Sequence, residues 1–283
     1  MTPRLRRDPL SGRLIAFAPA RARRPGASAF LIEPEAPDER ERCPFCEGHE
    51  DRTPPEVFAL PSDGREPDSP GWRVRVVPNL YPAFERQEVV IHSPRHVRTF
   101  AELSNDEIAY VAEAWTARIA TAGTAYVHAL INEGRAAGAS LPHSHSQLVW
   151  LPGPPPEVQA ERPEGLVELV ENAREQNLVL ADADDLVAFC HPVGRLPYET
   201  LVAPGPDATL TDALRVLRDL IARLREAEGP VPWNAWLHRA APWHIELVPR
   251  LSVLAGIELG AGIYVNALPP EQAAENLRRA TDR

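Results

Sequence analysis

Apolar and polar residues alternate over short stretches along much of the chain, which is the pattern of half-buried β-strands. In the first half this pattern predicts strands at residues 14–18, 72–77, 88–92, 125–132 and 147–151. Ser104 and Glu107 have the spacing of a capping box, and apolar residues continue at helical intervals as far as Ile119. A helix of about 15 residues is therefore expected between the third and fourth strands.

The second half contains a similar series of elements. Strands are predicted at 178–181, 186–191, 201–203, 233–238 and 244–248, with helices at 214–224 and 269–279. In both halves a long helix precedes a strand, a short loop and a second, histidine-bearing strand. We therefore expect an α+β fold with two distantly related units, at residues 1–165 and 166–283.

Composition limits the class of protein. The 283 residues are 44% hydrophobic, enough for a sizeable core, and no stretch approaches the roughly 20 apolar residues of a membrane span. The chain starts without an apolar leader, so we expect a cytoplasmic protein. A net charge of −10 argues against nucleic acid as the main partner, but not against a small phosphorylated substrate.

The segment around His143 and His145 carries the strongest chemical signal. In an extended strand His143, His145 and Gln147 would share one face. A neutral imidazole can attack phosphorus, and the Gln147 amide and the Ser140 hydroxyl can hold phosphoryl oxygens. The alternative is a solvated polar strand, but this one leads directly into the apolar Leu148-Val149-Trp150, which favours a buried, functional site.

The chain has three cysteines, too few for a disulfide framework, and two of them form a C-x-x-C pair at Cys43 and Cys46. The pair lies in an acidic, proline-rich stretch at residues 31–72 that needs a cross-link to be ordered. By itself, such a pair indicates either half of a zinc site or redox chemistry.

The segment from Asn132 to Gln147 resembles the active-site segment of galactose-1-phosphate uridylyltransferases, a branch of the histidine-triad superfamily built from two fused triad-type units. Further matching segments follow in the same order along nearly the whole chain: Arg21 and Arg24, then CPFCEGHEDRTPPEV, VVPNLYPAF, HSPRH, LPYET, HIELVPRL and AGIELGAGIYVNALPPEQAA. The resemblance implies that each unit is a mostly antiparallel sheet with helices packed on it.

The resemblance also implies a reaction. His145 would attack the α-phosphorus of UDP-glucose, release glucose 1-phosphate and pass the uridylyl group to a second sugar 1-phosphate, in ping-pong order. The residues that would hold the phosphates are Gln147, Ser140, Arg21 and Arg24, while Asn79 and Asn132 would bind the nucleotide and Glu258 the sugar. For the two arginines a solvated basic loop is the alternative.

For the metal, the resemblance implies a zinc ion held by Cys43, Cys46, His96 and His143, with His49 and His92 as competing ligands. Some family members bind a second metal in the C-terminal half. His238 and His244 match two of its ligands, but Pro242 stands where we expect a third, so we expect this second site to be lost or weak. Family members commonly form dimers, which makes a homodimer an expectation as well.

The chain also departs from the family pattern. It has H-S-H-S-Q where uridylyltransferases usually have H-P-H-G-Q, and the serine form occurs in relatives that act on ADP-glucose. Ile257 stands where a tyrosine is common near the sugar. Two alternatives therefore remain beside the uridylyltransferase: a phosphorylase or hydrolase of ADP-glucose or another nucleotide sugar, and a zinc-stabilised nucleotide-binding protein without catalysis.

Overall fold

The computed structural model describes residues 4–23, 30–62, 64–123, 125–183 and 185–280. The chain forms two compact units, one from Glu33–Pro154 and one from Met1–Ile32 together with Pro155–Arg283. Both contain antiparallel sheet and helices, so the predicted α+β class is confirmed. Among the described residues, no helix has the length and apolar character needed to cross a bilayer.

The strands are β1 Arg4–Arg7, β2 Leu14–Phe17, β3 Phe58–Leu60, β4 Val74–Pro78, β5 Gln87–Ile91, β6 Tyr126–Glu133, β7 His145–Leu151, β8 Val179–Ala183, β9 Leu186–Cys190, β10 Thr200–Pro204, β11 Trp233–His238, β12 His244–Pro249 and β13 Ile263–Asn266. The α-helices are α1 Glu39–Arg42, α2 Asn105–Ala120, α3 Pro156–Gln159, α4 Pro163–Glu175, α5 Leu210–Glu228, α6 Gly256–Ala261 and α7 Pro270–Arg279.

In the unit Glu33–Pro154 the strands lie in the order β3-β4-β5-β7-β6, and every neighbouring pair is antiparallel. Helix α2 packs on β3, β4 and β5 through its apolar face. Ile108, Val111 and Trp115 on that face are almost completely buried. His145 and Gln147 of the histidine segment lie on β7, which is paired on one side with β5 and on the other with β6.

In the second unit the corresponding order is β11-β12-β10-β9-β8, with α5 and α7 packed on it. Along the chain, both units place three strands, a long helix and then two further strands in the same sequence. This shared order supports the predicted pair of fused histidine-triad-type units, which stays a prediction.

The division into units differs from the predicted boundary at residues 165 and 166, which falls inside α4. Residues 1–32 group with the C-terminal half because β2 pairs in parallel with β13 near the other end of the chain. Gly165 of α4 also lies against the backbone of Pro9, where a Cβ atom would clash. The partition therefore depends on contacts between distant segments, which local patterning does not reveal.

The capping box predicted for α2 is confirmed. Ser104 Oγ accepts from the backbone N–H of Glu107, and the Glu107 carboxylate accepts from the N–H of Ser104 at 2.8 Å. The same carboxylate accepts from Ser93 Oγ and Arg95. Burial works to raise the pKa of Glu107, but these hydrogen bonds outweigh it and lower the pKa to about 2.

Glu107→Gln is expected to lower the free energy of unfolding at pH 7 by about 1–3 kcal/mol. A carboxyl whose pKa is lower in the folded state stabilises the fold above its unfolded pKa near 4.5, and this contribution is lost as the pH falls towards 2. Urea unfolding of the variant and the native chain between pH 7 and pH 3 should therefore show a difference in the free energy of unfolding that narrows below about pH 4.5. Glu113→Gln, at an exposed position of the same helix, is the matched control. If the difference in the free energy of unfolding stays constant over this pH range, the charge of Glu107 is not its cause.

Candidate active site and metal centres

The four predicted metal ligands, Cys43, Cys46, His96 and His143, converge in the unit Glu33–Pro154. Their ligand atoms all lie within 4.8 Å of one another. Cys43 Sγ is 3.4 Å from His143 Nδ1, and Cys46 Sγ is 3.1 Å from His96 Nδ1 and 3.7 Å from His143 Nδ1. Ligands at about 2.3 Å for sulfur and about 2.0 Å for nitrogen place a sulfur and a nitrogen roughly 3.5 Å apart in a tetrahedron. The separations therefore fit a shared ion.

Hydrogen bonds on the outer nitrogens orient both imidazoles. His143 Nε2 donates to the carbonyl of Ser93 at 2.9 Å, and His96 Nε2 donates to Glu39 Oε1 at 2.9 Å. Since each ring has its proton on Nε2, each turns an Nδ1 lone pair towards the thiols. Outer partners of this type fix the tautomer and direction of metal-binding histidines.

Burial sets the charge of this cluster. It raises the pKa of the Cys43 thiol, and burial together with Cys43 raises the pKa of Cys46 to about 12. Burial also lowers the pKa of His143 to about 3. The protein therefore assembles neutral imidazole and neutral thiols, and a cation is the partner that would convert the thiols to thiolate ligands. Two sulfurs and two nitrogens are the donors of a closed, structural zinc site.

The two competing ligands have other partners. The Nδ1 of His49 donates to the carbonyl of Cys43 at 2.6 Å, and the Nδ1 of His92 forms a hydrogen bond of 2.9 Å with Ser144 Oγ. Both lie beside the four-residue cluster without belonging to it. His49 thus supports the cysteine loop, and His92 supports the histidine segment.

His145 is the first residue of β7, and its ring is almost completely buried. Its Nδ1 lies 2.7 Å from the carbonyl oxygen of His143. Because a carbonyl oxygen only accepts, Nδ1 must carry the proton and Nε2 must hold the lone pair. Burial lowers the pKa of His145, although the same hydrogen bond works to raise it. The result is an uncharged imidazole of defined tautomer.

The expected geometry needs one correction, because His143 precedes β7 and is not part of it. The two rings nevertheless lie on the same side, since the ring of Phe45 is edge-on to His143 at 6.1 Å and to His145 at 5.3 Å. Gln147 shares the face of His145 by alternation along the strand. His143 therefore reaches that side from the preceding bend.

The two serines of H-S-H-S-Q form hydrogen bonds on the opposite face of the segment. The sequence did not suggest these bonds. Ser144 is bonded to His92 as described, and Ser146 Oγ accepts from the indole N–H of Trp115 at 2.8 Å. Trp115 belongs to α2, so the helix is tied directly to the strand that carries His145. These bonds fix the position of the strand beneath the imidazole.

Of the two predicted nucleotide-binding asparagines, Asn132 lies on the strand next to β7, whereas Asn79 follows β4, which is separated from β7 by β5. On β6, Leu130 is opposite Gln147, so Asn132 two residues later shares the face of His145. Asn79 follows β4, and its backbone N–H donates to the carbonyl of Gln87 at 2.8 Å. Both asparagines are thus within the unit that carries the histidines.

The remaining predicted site residues are more dispersed. Ser140 is exposed in the loop before His143, and Arg21 is exposed in a 3-10 helix of the other unit. Glu258 accepts from the N–H of Ala255 at 2.9 Å and so caps α6. Arg24 lies outside the described residues. Their substrate contacts stay predictions.

A second cluster of possible metal ligands lies in the other unit: Glu161, His238, His244 and Glu246. His238 Nδ1 is 2.5 Å from Glu161 Oε1, and His244 Nε2 is 3.6 Å from both Glu161 Oε1 and Glu246 Oε1. Within the part of the chain that the structure describes, neither ring nitrogen of His244 has a hydrogen-bond partner, although both are buried. Buried polar atoms normally have a partner, and a cation between these donors would provide it.

The charges nearby also favour a cation. Arg195 pairs with the buried carboxylates of Glu199 and Glu246, and a third carboxylate, that of Glu161, lies against His238 and His244. Burial works to raise the pKa of Glu246, but Arg195 and the two histidines outweigh it and hold the pKa well below its ordinary value. A metal ion would balance the remaining negative charge.

This cluster changes the expectation of a lost second site. The sequence suggested His238 and His244 and placed the missing ligand at Pro242, but the structure supplies two carboxylates, Glu161 and Glu246, instead. Glu246 had a local signal, since it lies two residues after His244 on the same face of β12. Glu161 had none, because it is 77 residues from His238 in the sequence.

Residues 101–282 match a family model described as "Domain of unknown function (DUF4921)". The chain belongs to this family. An ADP-glucose phosphorylase of Arabidopsis thaliana is 28% identical over 99% of this chain and 93% of its own length. A galactose-1-phosphate uridylyltransferase of Streptomyces lividans is 26% identical over 99% of this chain and 88% of its own length.

Among solved structures, the Arabidopsis thaliana ADP-glucose phosphorylase with bound ADP-glucose covers 98% of each chain, with 27% sequence identity and a TM-score of 0.81. The predicted resemblance to the galactose-1-phosphate uridylyltransferase family, including its ADP-glucose phosphorylase-like branch, is confirmed by these relatives.

Cys43→Ser should remove about one equivalent of zinc per chain and lower the thermal midpoint by about 5 °C or more, because one thiolate of a closed site is lost. The control is Cys190→Ser, which changes a buried thiol outside both clusters. Inductively coupled plasma mass spectrometry and calorimetry on both variants measure the effect. Equal zinc content in the two variants would exclude Cys43 as a ligand.

His244→Ala should remove a different metal equivalent, the one that Cys43→Ser retains, because it deletes the central donor of the second cluster. His191→Asn, at a buried histidine of the same unit outside the cluster, is the control. Metal analysis after dialysis against a mild chelator measures both. If His244→Ala binds as much metal as the control, the second cluster is a network of hydrogen bonds and ion pairs.

Proposed function

We propose that the chain transfers a nucleoside monophosphate from a nucleotide sugar through a covalent nucleotidyl intermediate on His145. The observation that carries the proposal is the hydrogen bond from His145 Nδ1 to the carbonyl of His143, which leaves an uncharged Nε2 as the free nucleophile. The low pKa that burial gives His145 keeps that nitrogen unprotonated at neutral pH.

The first step forms a bond between His145 Nε2 and the α-phosphorus and breaks the bond from that phosphorus to the bridging oxygen, which leaves with the sugar 1-phosphate. In the second step an oxygen of the acceptor attacks the same phosphorus and the P–N bond breaks, so the imidazole is regenerated. The His143 carbonyl stabilises the positive charge that develops on the ring in the first step.

ADP-glucose as donor and inorganic phosphate as acceptor are the substrates with the best support. The similarity to ADP-glucose phosphorylase extends over 99% of the chain, and the H-S-H-S-Q motif is the form found in such relatives. We therefore prefer a phosphorylase to the uridylyltransferase that the motifs alone suggested. UDP-glucose with galactose 1-phosphate is the second candidate, supported by the similarity to the Streptomyces lividans enzyme.

We infer that zinc occupies the cluster of Cys43, Cys46, His96 and His143. When bound, it would supply structural cross-linking, since four protein donors leave no open position. His143 then has two functions: its ring would be held by the metal and its carbonyl directs His145. The bound metal would also link the loop that contains Cys43 and Cys46 to the segment that carries His145.

His145→Ala should lower the turnover of ADP-glucose with phosphate on the order of 10³-fold or more, while nucleotide binding survives, because only the nucleophile is lost. His128→Gln removes another imidazole of the same unit and is the control. The rate of glucose 1-phosphate release is measured with phosphate, galactose 1-phosphate or water as acceptor.

Incubation with ADP-glucose labelled in the α-phosphate should leave an acid-labile, alkali-stable label on the native chain and none on His145→Ala. Retained turnover by the variant, or a native chain that never becomes labelled with ADP-glucose or UDP-glucose, would contradict the proposed function.

A further inference from the structure

Gln87, which none of the motifs singled out, is the diagonal neighbour of Gln147 across two strands. In the antiparallel pair of β5 and β7, Val89 is opposite Gln147 and Gln87 is opposite Val149. Residues opposite one another lie on the same face, and Gln87 and Val89 alternate with Glu88. Gln87 and Gln147 therefore share the face on which His145 lies, and both are half-buried.

One backbone N–H group determines which way both side-chain amides are oriented. The N–H of Ala83 donates to Gln87 Oε1 at 2.9 Å. A backbone N–H only donates, so the Gln87 oxygen must face Ala83 and its NH₂ group must face the other way. Gln87 Nε2 donates to Gln147 Oε1 at 2.5 Å. Because the oxygen of Gln147 is occupied, its NH₂ group is the part of the amide left for a ligand.

We propose that Gln87 is a positioning residue that holds the Gln147 amide with its NH₂ group towards the transferred phosphoryl group. This inference rests on the proposed function. A glutamine amide without such a partner rotates about a broad, nearly two-fold torsion and presents oxygen as readily as nitrogen. Only the NH₂ orientation stabilises negative charge on phosphate, whereas the reverse orientation repels it.

The amide pair also links the phosphoryl site to the loop between β4 and β5. Ala83 belongs to this loop, and Asn79 at its start donates its N–H to the carbonyl of Gln87. Asn79 Oδ1 in turn accepts from the N–H of Tyr81 at 2.9 Å, while the side chain of Tyr81 is 86% exposed. The loop that carries the predicted nucleotide-binding Asn79 thus also sets the orientation of Gln147.

Gln87→Glu gives the sharpest test because it keeps the size and reverses the polarity. Its carboxylate accepts from Ala83 with one oxygen and from the Gln147 NH₂ group with the other, so the oxygen of Gln147 turns towards the phosphate. The expected result is a kcat about 10²-fold lower, comparable to the loss of one oxyanion donor, with little change in the KM for ADP-glucose. Gln87→Met, which frees the amide without reversing it, should lower kcat about 2-fold, since about half of the amides then present nitrogen.

The decisive comparison is made in a Gln147→Ala background. If Gln87 acts through Gln147, Gln87→Glu has no further effect there, whereas direct repulsion of the phosphate by the new carboxylate would persist. Gln272→Glu, at an exposed position of α7, controls for the charge change, and zinc content and thermal midpoint control for folding. If Gln87→Glu does not fold, Gln87→Met is compared in the two backgrounds.

Wild-type kcat in the folded Gln87 variants, or an equal fold-loss in both backgrounds, would overturn the positioning role. The proposed function is checked separately by the label on His145. That label must form on the native chain, and it should form slowly on Gln87→Glu. A native chain without label refutes the proposed function itself, while a labelled native chain and unaffected Gln87 variants refute only the inference about Gln87.

Discussion

The hydrogen bond between His145 Nδ1 and the carbonyl of His143 is the interaction on which the proposed chemistry depends. It places the proton on Nδ1 and the lone pair on Nε2. Burial lowers the pKa of His145 and so keeps Nε2 unprotonated. The bond exists only if the bend at His143 places its carbonyl under the ring of His145. The surrounding structure is arranged to hold that bend: the His143 ring faces two thiols, Ser144 is bonded to His92, and Ser146 to Trp115.

The two units place their polar side chains at corresponding positions with different chemistry. His145 begins β7 and Gln147 follows two residues later, just as His244 begins β12 and Glu246 follows two residues later. A neutral imidazole beside an amide suits an attack on phosphorus, because the amide NH₂ group stabilises anionic oxygens. An imidazole beside a carboxylate suits a cation, and Glu161 and His238 complete such a donor set. An amide in one unit thus stands where the other unit has a carboxylate: the amide suits the proposed reaction at phosphorus, and the carboxylate suits a cation.

Local patterning predicted the elements that have strong periodicity or caps, such as α2 behind Ser104 and the strands on either side of it. It did not predict short strands such as β1 and β3, or α4, whose N-terminus lacks a side-chain cap. The structure divides at other residues than the predicted boundary at 165 and 166, because the parallel pairing of β2 with β13 joins residues far apart in sequence. Similarly, Glu161 and Gln87 gain their significance only from register and packing, whereas His145 and Gln147 were recognisable from a spacing of two residues.

The position of the phosphoramidate on the imidazole ring shows directly which nitrogen of His145 attacks the phosphorus. The native chain is loaded with ADP-glucose in the absence of phosphate, denatured in alkali, and the labelled peptide is analysed by mass spectrometry and by ³¹P–¹⁵N correlation NMR. We expect an adenylyl group on Nε2 of His145, because Nδ1 donates its hydrogen bond to the His143 carbonyl. A P–N bond at Nδ1, or on any other residue, would contradict this expectation.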